Sequence, residues 1–103
     1  MQKLSIYVPA SHTVSADVVK TLLGKLSDMA GGASQYEVTG AWMSQFHVLI
    51  TEPITVVFTL ATEDKASAVL TYLQGMARQI KTVMVQEAVL VTVEDIKAAL
   101  FVS

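Results

Sequence analysis

The chain contains no cysteine, which removes disulfide frameworks and thiolate metal sites from consideration. Charge is scarce as well: 16 % of residues are charged, against about 25 % in an ordinary soluble domain. The seven Lys and Arg residues are scattered singly through a chain of net charge −2, and no basic stripe exists that could neutralise a row of phosphates. Nucleic acid is therefore not an expected partner. No stretch of 18 apolar residues occurs, and the opening MQKLSIYVPASHT breaks at Pro9 and is too short and polar for a secretory core. A cytoplasmic protein without membrane association is the expectation. The two histidines, His12 and His47, fall in expected loops without a further ligand at metal spacing. Neither lies in a motif with a nucleophile. No metal centre and no cofactor are expected.

What the chain has in abundance is apolar surface. At 103 residues with 52 % hydrophobic content, it is read as a single domain, residues 1–103. A domain of this size buries only about 60 to 70 % of its unfolded surface. The excess points to self-association, because contiguous apolar patches mark interaction surfaces.

Periodicity supplies the elements. Leu4, Ile6 and Val8 alternate with Lys3, Ser5 and Tyr7, predicting a strand over 2–8 that stops at Pro9. Ser15 is read as an N-cap, and Val18, Val19, Leu22, Leu23, Leu26, Met29 and Ala30 recur at helical spacing, predicting a helix over 16–30 ended by Gly31-Gly32. Tyr36, Val38, Trp42 and Phe46 give a strand over 35–46 with one apolar face, interrupted at Gly40. Ile54, Val56, Phe58 and Leu60 give another over 54–60. Between them, 46–53 reads as a long excursion, with Pro53 at a strand start or an edge. Thr62 caps a second helix over 63–81, whose stripe is Ala66, Val69, Leu70, Leu73, Met76, Ala77 and Ile80. The run 83–93 is apolar on both sides and reads as a doubly covered strand. For the tail, a short strand at Leu100-Phe101-Val102 is preferred over a helical turn.

The order βαββαβ is the ferredoxin-like α+β arrangement, with both helices on one face of an antiparallel sheet. Its other face needs a cover, and a copy of the same chain is the economical one.

Four groups of residues carry a family resemblance. They are Thr39-Gly40 followed by Trp42, Thr51-Glu52 before the third strand, Asp64-Lys65-Ala66 opening the second helix, and Gln86 with Val89-Leu90-Val91. In order and spacing these resemble the phage S-adenosylmethionine lyases, which with the PII signalling proteins form a group of trimeric, PII-like ferredoxin folds. The resemblance covers residues 39–91, about half of the chain. It implies a homotrimer with ligand clefts between subunits, bordered by the excursion 46–53. The lyases carry two adjacent acidic residues where this chain has Glu52-Pro53, so only Glu52 carries over. Relative to PII, no phosphate-binding segment and no long excursion with a modifiable tyrosine is recognisable.

The resemblance makes Trp42, Thr51 and Glu52 the expected ligand-binding residues. Glu52 is read either as a solvated loop carboxylate or as a carboxylate facing the sulfonium or ammonium of a ligand. Trp42 is read as packing, or as a platform for a purine or a sulfonium. Glu87 would gain rank as a site residue if buried and unpaired. Three functions follow as expectations. The first is a trimeric module binding a small molecule such as an adenosyl compound. The second is a lyase in which the substrate's own carboxylate displaces methylthioadenosine and leaves homoserine lactone, with Glu52 as the residue serving catalysis. The third is a structural or protein-partner module without a small ligand.

Overall fold

The computed structural model describes residues 1–100 and 102. Its elements are β1 (Gln2–Pro9), α1 (Ser15–Ala30), β2 (Ser34–Met43), β3 (Leu49–Ala61), α2 (Glu63–Val83) and β4 (Val91–Asp95). The four strands form one antiparallel sheet in the order β2-β3-β1-β4. This is the ferredoxin-like arrangement expected from the periodicity.

Both helix stripes do what their spacing requires. Val19, Leu22 and Leu26 of α1 and Ala66, Val69, Leu73 and Ile80 of α2 pack in one core with Leu4, Ile6 and Val8 of β1. Gly31 ends α1 in the left-handed conformation (φ 96°), its N–H donating to the Ser27 carbonyl at 2.8 Å, a conformation that costs glycine nothing. Ser15 is not the cap: it is the first helical residue, preceded by Val14. Its buried hydroxyl instead donates to the Pro9 carbonyl at 2.5 Å and accepts from the His12 N–H at 3.1 Å. That pair of bonds ties the loop 10–14 to the end of β1. Thr62 does occupy the cap position of α2.

The sheet register decides which face of each strand meets the helices. Leu4, Ile6 and Val8 stand opposite Thr59, Val57 and Thr55, so on β3 it is the odd positions that meet the core. Thr59 is accommodated there because its hydroxyl donates to the Gly32 carbonyl at 2.5 Å. The apolar stripe Ile54, Val56, Phe58 and Leu60 therefore lies on the sheet's open face, beside Tyr36 and Val38 of β2. Val56 is fully buried yet stands outside the helix-packed core. On the same face, the rings of Tyr36 and Phe58 meet edge-on at 5.7 Å, and Lys3 Nζ sits 4.5 Å above the Phe58 ring. The apolar alternation of β2 and β3 is thus real, but the chain's own helices do not cover it.

Three expected boundaries change. First, the strand expected over 83–93 is split. Helical hydrogen bonding runs on to Met84, whose N–H donates to the Ile80 carbonyl at 2.9 Å, and Met84 is 1 % exposed. Burial of Ile80 and Met84 one turn apart outweighs the weak helix preference of Thr82-Val83. β4 begins only at Val91, after Tyr7 N–H donates to the Leu90 carbonyl at 3.0 Å. Second, the excursion 46–53 shrinks to a tight turn over residues 44–48, and Leu49–Pro53 belong to β3. The Ser44 hydroxyl closes the turn by accepting from the N–H groups of Phe46 and Val48 at 3.2 and 3.1 Å. Third, the expected terminal strand falls partly on Phe101, outside the described residues; residues 96–100 and 102 form neither helix nor strand.

A longer β3 has one consequence for the site. β1 ends at Pro9, opposite Ile54, so the rungs from Thr39–Pro53 to Met43–Leu49 form a two-stranded ribbon projecting beyond the sheet. The molecule measures 49 × 25 × 24 Å. Pro53 costs no ladder bond, since its carbonyl, which accepts from Ala10 N–H at 3.0 Å, and hence its nitrogen, point to the side where β1 has ended.

Candidate ligand cleft

The ribbon carries the expected residues. Gly40 pairs with Glu52 and Trp42 with Ile50, so Trp42 and Glu52 are diagonal neighbours on one face, within reach of each other. Thr51, opposite Ala41, projects from the other face. Strand alternation therefore separates the two members of Thr51-Glu52.

Trp42 and Glu52 form one wall of a cleft of about 600 Å³; the other wall is Val85, Gln86, Glu87 and Ala88. Such a volume suits a ligand of nucleoside size. Trp42 is 47 % exposed and Glu52 is partly covered. Part of the indole is thus open to the cleft. Glu87 is exposed, so it does not meet the burial condition set for it. It enters the site by position instead. None of the lining residues is basic, and two carboxylates face the cleft. The lining thus joins an indole to two carboxylates, while the cations Arg78 and Lys81 line the neighbouring hollow that shares Val85, Gln86 and Glu87.

The turn that makes the second wall was hidden in the sequence because 83–93 reads as one apolar strand. Its backbone is set by the end of α2. Val85 N–H reaches the Thr82 carbonyl at 3.4 Å and Gln86 N–H the Lys81 carbonyl at 2.9 Å, the paired bonds of a Schellman ending. Val85 occupies the left-handed position (φ 51°), where glycine is usual and a β-branched residue is strained. The polar pair Gln86-Glu87 inside an apolar run was the available signal for a break. Among the described residues, no three side chains of metal-binding type gather, and no helix is long and apolar enough to cross a membrane.

No protein family matches the chain by sequence, and no curated protein is similar to it in sequence. Solved structures are similar in fold. A phage SAM lyase in complex with S-methyl-5′-thioadenosine superposes with a TM-score of 0.63 at 18 % identity, covering 91 % of this chain and 80 % of that one. The periplasmic divalent cation tolerance protein CutA from Archaeoglobus fulgidus gives 0.58 at 15 % identity, covering 97 % and 88 %. Its counterpart from Thermus thermophilus gives 0.61 at 14 % identity, covering 96 % and 87 %. At these identities the likeness is one of fold: the chain has the PII-like, ferredoxin-type fold that phage SAM lyase and the divalent cation tolerance proteins share.

Proposed function

We propose that this protein binds a cationic adenosyl compound, with S-adenosylmethionine the leading candidate, in the cleft between the β2–β3 ribbon and the segment after α2, and that it does so as a homotrimer. The observation that carries the reading is the convergence of Trp42, Glu52 and Glu87 on one hollow without a basic residue. An indole face stacks a purine, and a carboxylate in a partly desolvated cleft attracts a sulfonium. Self-association is supported by the apolar stripe of β2 and β3 on the open sheet face, and the number three comes from the resemblance. Closed rotational symmetry buries such a face without leaving a free copy of it.

A lyase is the second reading, favoured by the fold likeness to phage SAM lyase over 91 % of the chain. Intramolecular displacement at the carbon beside the sulfonium requires a folded substrate more than a nucleophile or base. Glu52 would then hold the sulfonium while the substrate's own carboxylate attacks. One incubation with S-adenosylmethionine, followed by separation of bound and free nucleosides, decides between them. Retained, unchanged ligand supports the binding module; methylthioadenosine in solution supports the lyase. If neither is found, both readings fall.

A further inference from the structure

The cleft does not end at Glu87. A second hollow of about 490 Å³ opens beside it, lined by Arg78, Lys81 and Thr82 together with Val85, Gln86 and Glu87, and the last three residues line both hollows. The end of α2 builds this arrangement. Arg78, Lys81 and Thr82 stand at i, i+3 and i+4 and share one face of the helix, and the bond from Gln86 N–H to the Lys81 carbonyl closes the helix at the end of that face.

Charge changes sign along the two hollows. Trp42 and Glu52 belong to the first, Glu87 to both, and Arg78 and Lys81 to the second. One basic residue in a last turn is ordinary, because it suits the negative end of a helix. Two cations on one hollow, adjoining another lined by carboxylates, go beyond that. They are not neutralised by their neighbours either: among the described residues the only ion pair joins the Met1 ammonium to Glu63.

We propose that the second hollow is a carboxylate subsite, in which Arg78 and Lys81 hold the acid group of an amino-acid arm on the adenosyl ligand. The inference rests on the adenosyl reading above and deepens it. The order of charges carries it. In S-adenosylmethionine the nucleoside leads to a sulfonium, and two methylenes further on one carbon bears an ammonium and a carboxylate. Along the protein the order is an indole with Glu52, then Glu87, then Arg78 with Lys81. A ligand lying lengthwise brings each of its charges to the opposite sign, with the ammonium at the shared Glu87. Both cations are exposed, so the selectivity they supply is that of two solvated charge pairs.

The test is calorimetry at low ionic strength, where such pairs are least screened, with S-adenosylmethionine and its decarboxylated form. The second compound lacks only the carboxylate and carries one more net positive charge. If Glu52 and Glu87 alone decided, it would be the tighter ligand. The subsite reverses that order: wild type binds S-adenosylmethionine tighter by about five-fold, the scale of two exposed pairs. Arg78→Gln combined with Lys81→Gln abolishes the preference while the decarboxylated compound still binds, which reports an intact cleft. Arg78→Lys combined with Lys81→Arg keeps the preference. A wild type that binds the decarboxylated compound as tightly or tighter overturns the subsite and leaves the adenosyl reading standing. So does a preference that survives the two Gln substitutions, or a Gln variant that loses both compounds alike. A wild type that binds neither compound overturns the adenosyl reading and the subsite with it.

Discussion

The side chain of Ile54 lies over the α-carbon of Gly40, with its Cδ1 in the space that a Cβ at position 40 would fill. The glycine that interrupts the apolar face of β2 is therefore occupied by a neighbour from β3. Gly40→Ala pushes Ile54 aside on the open face. The displaced group is the end of a flexible side chain, so the cost is modest, about 1 kcal/mol, after the entropy gained by removing a glycine from the unfolded chain. Urea denaturation measures it. An unchanged or raised midpoint would mean that Ile54 does not need that space.

Val85 sits in the left-handed position that ends α2 (φ 51°) and is 88 % exposed. Its side chain gains little from burial to offset the strain. Val85→Gly raises stability by about 1 kcal/mol, the usual cost of an L-residue in that conformation. A lower melting temperature than wild type would contradict the Schellman ending described for α2.

How legible the chain was depends on what covers each element. The helix stripes and β1 were legible because their apolar faces meet within one chain, as Leu22, Leu73 and Ile6 do in the core. β2 and β3 were legible as strands, but periodicity could not say which face met the helices. Register alone puts Thr55 and Thr59 inward and Ile54 and Phe58 outward. The boundary errors have local causes. Helix and strand are ambiguous at Thr82-Val83, and burial of Met84 resolves them, a tertiary effect that no local pattern carries. The tightness of the 44–48 turn depends on one hydroxyl, Ser44, with no flanking Asn-Gly signal to announce it. Of the candidate cleft's lining, Trp42, Glu52 and Gln86 were named through the resemblance and Glu87 on a burial condition, whereas the turn that brings 85–88 opposite the ribbon was concealed by its apolar neighbours.

Asp64 in the first turn of α2 has its carboxyl held below the ordinary value. The chief cause is the hydrogen bond from the Thr62 hydroxyl at 2.5 Å, with a backbone N–H and the charge of Lys65 helping. A depressed folded-state pKa contributes stability above the unfolded carboxylate range and loses it as pH falls through the folded value. Thr62→Val raises the Asp64 pKa toward ordinary, as read by NMR titration, and the stability gap between variant and wild type narrows toward acid. A gap that widens on acidification would show that Asp64 is not held this way.

The open sheet face leads to a prediction about mass. Sedimentation equilibrium at micromolar concentration gives about three times the 11.1 kDa chain, in line with closed symmetry. Phe58→Asp places a charge on that face, outside the helix-packed core, and yields a folded species of single-chain mass. Wild type at single-chain mass contradicts the self-association; a stable dimer keeps the burial and discards the number three.

If Trp42, Glu52 and Glu87 select an adenosyl ligand by its positive charge, removing that charge must weaken binding. The direct measurement is the ratio of affinities for S-adenosylmethionine and S-adenosylhomocysteine, which differ by a methyl group and the sulfonium charge, taken by calorimetry at low ionic strength where the attraction is least screened. Wild type binds the sulfonium compound about ten-fold tighter, on the scale of one carboxylate–cation contact in a partly covered cleft, and Glu52→Gln brings the two affinities together. Equal affinities in the wild type, or tighter binding of the neutral thioether, would contradict selection by charge.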